Sequence, residues 1–149
     1  MLTQLTPQQI EAHWDELKEG IRSSLPPTAR SDDEGMLTVY TGLMSDALQG
    51  WVLIDDTSKE IVGVLTTAVL TEFGSGAKFL LIYSLYGHQA ILSQTWQSML
   101  VDLSLFAESK KCLKIVAYTI HKGLFSMVQK RLPDAEEQHC IIIPVHAGG

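Results

Sequence analysis

The stretch that decides the fold is FLLIYSLYGHQAILSQTW, residues 79–96. An apolar run ends at Gly87, a short polar stretch follows, and a helical pattern begins at Ser93. The run from 78 to 87 is rich in β-favouring residues and predicts a strand. After Trp96, apolar residues recur at offsets of 3, 4, 7, 10 and 11, which is typical of an amphipathic helix. Strand, loop and helix in this order can hold a phosphate group at the helix start.

Two helices and two further strands are predicted upstream of this stretch. Thr6-Pro7-Gln8-Gln9 has the form of a capping box with proline at the first helical position, which predicts one helix ending near Ser23. A second helix is predicted over 36–48, with an inner face of Met36, Val39, Tyr40, Leu43 and Ala47. Short apolar and β-branched runs predict strands over 51–55 and 60–72, which would form an antiparallel meander with 78–87.

Downstream, the pattern predicts a strand over 113–120, a helix over 122–132 and a last strand over 138–145. Strand, helix and strand in this order predict a crossover and a parallel strand pair. The expected fold class is therefore α/β in the broad sense, an α+β mixed sheet. An antiparallel three-strand meander is followed by a β-α-β crossover, with helices on both faces. With 149 residues, the chain is expected to form a single domain, 1–149.

Composition narrows the class of protein. The chain is 46% hydrophobic, which is enough for a globular core, and its formal charge of −6 disfavours nonspecific nucleic-acid binding. Cys112 and Cys140 are interpreted as small hydrophobic residues, and no cysteine–histidine pattern predicts a zinc site. We expect no metal. No signal-peptide pattern and no apolar run of membrane-spanning length is found, so a cytoplasmic protein that binds no membrane is expected.

Three segments resemble the GCN5-related N-acetyltransferase (GNAT) superfamily. WVLIDDTSKEIVGVLTT (51–67) is similar to the family's hairpin, and LFAESKKCLKIVAYTI (105–120) is similar to its helix end leading into the fifth strand. HKGLFSMVQKRL (121–132) stands where the family places its next helix. The resemblance covers essentially the whole chain, and the chain is also similar to small phage-encoded GNAT-like proteins.

The resemblance implies a place for acetyl-CoA. In the family, the cofactor lies against a strand that splays away from its neighbour, and its pyrophosphate is held by amides at the next helix start. A general base then takes a proton from the amine, and a tyrosine often protonates the leaving thiol. The implied cofactor-binding residues here are Tyr83, Ser84, Leu85, Ser93, Gln94 and Thr95. The candidate proton-handling residues are Tyr86, His88 and His121.

The sequence departs from the family pattern at the residues that carry its chemistry. The family loop reads Gln/Arg-x-x-Gly-x-Gly/Ala, whereas Ile91 to Trp96 contains no glycine. Glycines allow the backbone to approach phosphate closely. Val128 falls near the expected tyrosine, and valine has no proton to donate. Ser93 is expected to act as an ordinary helix N-cap. Tyr83 and Tyr86 have opposite parity along the strand, so they are expected to face opposite sides of the sheet.

Three functions stay open on these grounds. The first is a GNAT-fold protein that has lost acetyl transfer and its cofactor and acts as a binding or structural module. It would have a protein partner or form a homo-oligomer, as a phage virion or virus–host interaction protein located in the host cytoplasm or the virion. The second is an active acyl-CoA N-acyltransferase with an atypical cofactor loop that uses acetyl-CoA on an amine. The third is a small-molecule binding domain with a pocket between 83–86 and 117–121.

Overall fold

A computed structural model describes residues 1–118 and 122–145, in two compact units, Met1–Tyr118 and Thr119–Gly149. The division into units leaves the single domain over 1–149 as a prediction. The helices and strands of the described residues are β1 (Leu2–Gln4), α1 (Pro7–Ala12), α2 (Trp14–Ser23), α3 (Asp33–Met44), β2 (Gln49–Ile54), β3 (Ile61–Thr71), β4 (Lys78–Gly87), α4 (Ser93–Ser109), β5 (Lys114–Ala117) and α5 (Lys122–Arg131).

The first unit contains a five-stranded mixed sheet in the order β1-β2-β3-β4-β5. The pairs β1–β2, β2–β3 and β3–β4 are antiparallel, and β4–β5 is parallel. The predicted meander and crossover are therefore confirmed, with α4 as the crossover helix. The sequence reading missed β1, a short edge strand whose Leu2 N–H donates to an Asp102 carboxylate oxygen in α4 at 3.0 Å.

Helices cover both faces of the sheet, as the fold class predicts. Val64 and Leu65 are adjacent and buried, and they point into different cores because side chains alternate along a strand. Leu65 packs with Met99, Leu103 and Ala107 of α4, on the apolar stripe that the sequence predicts. The other core, around Val64, is built with α1, α2 and α3 from Ile10, Leu17, Ile21, Met36, Val39 and Leu43.

The predicted first helix is two helices, with a break at His13. The capping box is confirmed, because the Gln9 N–H donates to Thr6 Oγ1 at 3.2 Å and the Thr6 N–H donates to Gln9 Oε1 at 2.9 Å. The break allows α1 to pack on α3 while α2 lies across β3 and β4. Both pieces still bury their side of the predicted stripe, since Ile10 and Ile21 are each 2% exposed.

The second predicted helix, 36–48, begins and ends earlier, as α3. Its N-cap is Asp32, whose side chain accepts from the Gly35 N–H at 2.8 Å, so the helix begins before Met36. Because it ends at Met44, the predicted inner-face residue Ala47 lies beyond it and is exposed.

The second unit contains α5, and the strand predicted over 138–145 is wrong. That segment has no regular secondary structure, and Ile141, Ile143 and Val145 are 86%, 77% and 94% exposed. β-branched composition favours a strand only where the backbone N–H and C=O groups find a neighbouring strand, and the described residues of this unit form none. The strand predicted over 113–120 covers Lys114–Ala117, and residues 119–120 lie outside the described residues.

Across the described part of the chain, the helices are all too short or too polar to span a membrane.

Candidate functional site

Strand β4 opens away from β5 at a defined residue. Among the described residues, the parallel pairing runs from Phe79↔Lys114 to Ile82↔Ala117. From Tyr83 to Gly87, β4 has no strand neighbour on that side among the described residues. Unpaired backbone N–H and C=O groups need partners from elsewhere, so this segment is an open edge that can bond to a ligand. We call residues 83–87 the open edge.

A β-bulge marks the start of the open edge. Opposite β3, Ser84 pairs with Thr66 and Ile82 pairs with Thr67, which leaves Tyr83 without a cross-strand partner. One extra residue on β4 locally breaks the alternation of side chains. The expectation that Tyr83 and Tyr86 face opposite sides is therefore wrong.

Both tyrosines lie on the face that α1, α2 and α3 cover. Tyr83 packs against the core around Val64, and burial raises the pKa of its phenol above the ordinary value. Tyr86 pairs with Val64 across the sheet, and its ring lies against Gly20 of α2. A Cβ at position 20 would be 2.8 Å from Tyr86 Cδ1, so glycine at this position makes room for the ring.

The side chain of Ser84 is buried, and that of Leu85 is partly buried. Ser84 Oγ and Thr66 Oγ1 are 2.5 Å apart, and the two residues are 3% and 0% exposed. Leu85 packs against the core on the α4 side. These two predicted cofactor residues can therefore hydrogen-bond to a ligand only through their backbone groups.

The start of α4 carries free amides. The N-cap is Leu92, so the expectation that Ser93 is the N-cap is wrong, and no side chain caps the helix. The Thr95 and Trp96 N–H groups donate to the Leu92 carbonyl at 3.0 and 3.1 Å. The N–H groups of Ser93 and Gln94 bond to no described residue, and both residues are exposed. These two amides sit at the positive end of the helix dipole.

Glycines near this helix serve packing. Gly63, near the start of β3, and Gly87, at the end of β4, are cross-strand partners. A Cβ on Gly87 would lie 3.3 Å from Ile91 Cδ1, and one on Gly63 would lie 3.6 Å from the same atom. Ile91 therefore fills the space above the two glycines and holds the loop 88–92 against the sheet. Neither glycine has a positive φ, so the left-handed region is not what requires them.

The structure brings two of the three candidate proton-handling residues together. The rings of Tyr86 and His88 meet edge to face, with centroids 5.2 Å apart. His88 is exposed, and its N–H donates to the Val62 carbonyl at 2.9 Å, which fixes the backbone beyond the strand. The third candidate, His121, lies outside the described residues. Val128, which falls near the position of the family's tyrosine, lies in α5 and has no hydroxyl of its own.

A separate cavity of about 280 Å³ lies near β1 and β2, at the opposite end of the strand order, lined by Gln4, Asp46, Gln49 and Gly50 among others. It contains none of the predicted site residues. The open edge is a strand edge and not a closed cavity. It is the candidate site because its backbone groups can form hydrogen bonds with a ligand. Among the described residues, no group of three or more His, Cys, Asp or Glu side chains could hold a metal ion.

Sequence reasoning missed the bulge and the buried hydroxyl pair. The available signal was Ser84, a small polar residue inside an otherwise apolar run, together with Thr66 on the strand expected to pair with it. A polar residue at a buried strand position requires a hydrogen-bond partner. Pairing the two, against the register that the β3–β4 turn sets at Thr71↔Lys78, would have predicted one extra residue in β4 before Ser84.

Neither a family model nor a curated protein matches the sequence, but solved structures match across nearly the whole chain. A probable acetyltransferase shares 12% identity over 98% of each chain, with a TM-score of 0.68. A GNAT family acetyltransferase from Staphylococcus aureus shares 12% identity over 97% of this chain and 98% of its own, with a TM-score of 0.64. The chain has the GNAT fold. At this identity the likeness establishes the fold and not the activity.

A third neighbour bears on the cofactor. AAC(6')-Iy shares 12% identity, covers 99% of this chain and 98% of its own with a TM-score of 0.65, and is in complex with the bisubstrate analogue CoA-S-monomethyl-acetylneamine. In AAC(6')-Iy, the CoA-containing analogue is therefore bound by a protein of the same fold. These neighbours are acetyltransferases, so they do not support the loss of transfer, or the phage structural role, that the sequence favours.

Proposed function

We propose that this protein is an acyl-CoA N-acyltransferase that binds acetyl-CoA along the open edge and at the start of α4. The observation that carries the proposal is that the β4–β5 pairing of the described residues ends at Ile82, and that an uncapped helix start follows the open edge and the loop 88–92. A strand edge with free backbone groups binds an extended, amide-bearing ligand as it would bind another strand. The pantetheine arm of CoA is such a ligand.

The two free amides at the helix start would hold the pyrophosphate. The N–H groups of Ser93 and Gln94 are exposed and unpartnered among the described residues, and the helix dipole adds favourable charge. Without glycines in the loop, a phosphate can be reached by these amides and by the Ser93 hydroxyl. This is a smaller set of donors than a glycine-rich loop offers, so we expect weaker binding than that loop would give.

His88 is the proposed proton acceptor. A bound acetyl-CoA supplies the activated acyl group, and a nucleophilic amine must lose a proton when its nitrogen bonds to the acyl carbon. His88 is an exposed imidazole one residue beyond the open edge, and the free ring nitrogen of an imidazole can accept a proton from an amine. Tyr86 meets it edge to face and limits its orientations. The acidic net charge of −6 favours a cationic amine as substrate.

A binding module without transfer is the second candidate. It is supported by the absence of glycine from residues 88–95 and by Val128 in place of the family's tyrosine. In that case a protein partner or a second copy of the chain would be the ligand, and the proposed location would be the host cytoplasm or the virion. The first candidate is preferred because the chain has both the open edge and the two free amides that would bind acetyl-CoA.

Calorimetric titration with acetyl-CoA, followed by a thiol-release assay with a panel of amines, separates the candidates. Micromolar binding with release of CoA supports transfer. Binding without release supports the module. No binding at millimolar acetyl-CoA would refute the proposed cofactor site.

A matched pair of variants tests the helix start itself. Ser93→Pro removes one free N–H, and proline suits the first helical position because Leu92 before it is already extended, with ψ 148. Ser93→Ala keeps the N–H and removes only the hydroxyl. Because a hydrogen bond to a charged group is worth about 1.5–3 kcal/mol, Ser93→Pro should weaken acetyl-CoA binding about tenfold or more, and Ser93→Ala much less.

A further inference from the structure

We propose that the hydroxyl pair Thr66–Ser84 is a positioning device for the open edge. It fixes the bulge at Tyr83 and so holds the free backbone groups of 83–87 in the arrangement that takes an acyl-CoA. This inference rests on the proposed function, because it assigns these two residues a part in cofactor binding without any contact to the cofactor.

The location of the pair supports this role. Ser84 is the first residue after the bulge to regain a partner on β3, and that partner is Thr66. Their oxygens are 2.5 Å apart, and both residues are buried. The bond forms only when Ser84 stands opposite Thr66, which requires the extra residue of β4 to lie before it. The hydroxyl pair therefore selects the position of the bulge.

The alternatives to this register are costly. A shift by one residue would turn the side chains after Tyr83 to the opposite faces of the sheet. Leu85 would leave the core on the α4 side, and Tyr86 would leave its place against Gly20. Two buried hydroxyls without partners would each lose the compensation for their desolvation. The pair thus adds a penalty for every register except the one that opens β4 at Ile82.

A second buried threonine on β3 provides a matched control. Thr67 is also 0% exposed, accepts from Trp51 Nε1 at 2.9 Å and donates to Gln49 Oε1 at 2.9 Å. It is adjacent in sequence to Thr66, but its bonds join β2 and β3 and do not reach the open edge. A change at Thr67 should therefore cost stability without altering the open edge.

The test compares Thr66→Val with Thr67→Val, both near-isosteric losses of a buried hydroxyl. Three quantities are measured at a temperature where each variant is folded: affinity for acetyl-CoA by calorimetry, amide hydrogen exchange of residues 83–87, and the urea midpoint. Because Thr66→Val removes the hydrogen bond to Ser84, it should weaken acetyl-CoA binding about tenfold and speed amide exchange at the open edge by a similar factor. Thr67→Val should lower the urea midpoint and leave both other quantities within about twofold of wild type.

Thr66→Ser supplies the rescue, because it keeps the hydroxyl and loses only a methyl group. We expect its affinity to match that of wild type, and it serves as the informative variant if Thr66→Val does not fold. Wild-type affinity in Thr66→Val, or equal weakening in Thr67→Val, would overturn the inference while the proposed function stands. Absence of acetyl-CoA binding in the wild-type protein would overturn both.

Discussion

Replacing Ile91 by alanine should release the loop 88–92 from the sheet. Ile91 Cδ1 lies over the cross-strand glycines, 3.6 Å from a Cβ built on Gly63 and 3.3 Å from one built on Gly87. A fully buried isoleucine loses about 2–5 kcal/mol on truncation to alanine. Because Ile91 is half-buried, we expect a loss of about 1–2 kcal/mol in the free energy of unfolding, together with faster amide exchange across the loop.

Urea unfolding at equilibrium measures this loss, and Leu92→Ala is the control. Leu92 is the next residue and is 62% exposed, so its truncation should change the free energy of unfolding by less than about 0.5 kcal/mol. A double-mutant cycle sharpens the test. Gly87→Ala adds a methyl group close to Ile91, which should cost stability in the wild-type chain and much less in Ile91→Ala. Equal effects of Ile91→Ala and Leu92→Ala, or no coupling in the cycle, would refute the packing role assigned to the two glycines.

Three further predictions address the elements that support the site. Gly20→Ala should displace the Tyr86 ring, because the new Cβ would lie 2.8 Å from Cδ1, and the overpacking should cost about 1–3 kcal/mol in thermal or urea unfolding with a change in near-ultraviolet circular dichroism. Asp102→Ala should cost about 1–3 kcal/mol because the Leu2 N–H loses its acceptor, whereas Asp102→Asn keeps a carbonyl oxygen in place and should cost less. The hydrogen bond from Arg30 holds the pKa of Asp32 below its ordinary value of 3.8, so its stabilising effect is full above that pH and is lost as the pH falls through the lowered pKa. The difference in urea midpoint between wild type and Asp32→Ala should therefore shrink as the pH falls below 3.8 and through the lowered pKa, and a difference that stays constant would contradict the stabilising role assigned to the ionised Asp32.

The sequence predicts those parts of the fold that depend on local pattern. A run of β-branched residues predicts β3, which carries Val64 and Leu65, and an apolar stripe at helical spacing predicts α4. Each of these segments buries its pattern directly against the sheet. The crossover and the parallel pair then follow from the order of elements.

The parts that the sequence does not predict depend on partners far away in the chain. The bulge at Tyr83 lies between the pairs Ile82–Thr67 and Ser84–Thr66, and the alternation of side chains within one strand does not reveal an inserted residue. Serine is a preferred N-cap residue, but Ser93 is already the first residue of the helix, and the extended residue at the N-cap position is Leu92. Residues 138–145 have strand composition but no strand neighbour in their unit among the described residues.

The candidate site shows the same division. The sequence places Tyr86 and His88 near the strand end, and the structure adds their edge-to-face contact and the packing of Tyr86 on Gly20. Ser84 is buried and Leu85 is partly buried and apolar, so the site that the family resemblance implies offers hydrogen bonds at these two positions only from backbone groups. Backbone availability depends on where β5 ends, which composition alone cannot show.

The most direct test of the central claim is a map of backbone amide chemical shifts during titration of the isotope-labelled protein with acetyl-CoA. We predict saturable shifts concentrated in residues 83–87 and at Ser93 and Gln94, with the β3–β4 turn at 72–77 unchanged as an internal reference. The absence of shifts at millimolar acetyl-CoA, or shifts confined to the cavity beside Asp46 and Gln49, would contradict the claim that the open edge and the start of α4 form the cofactor site.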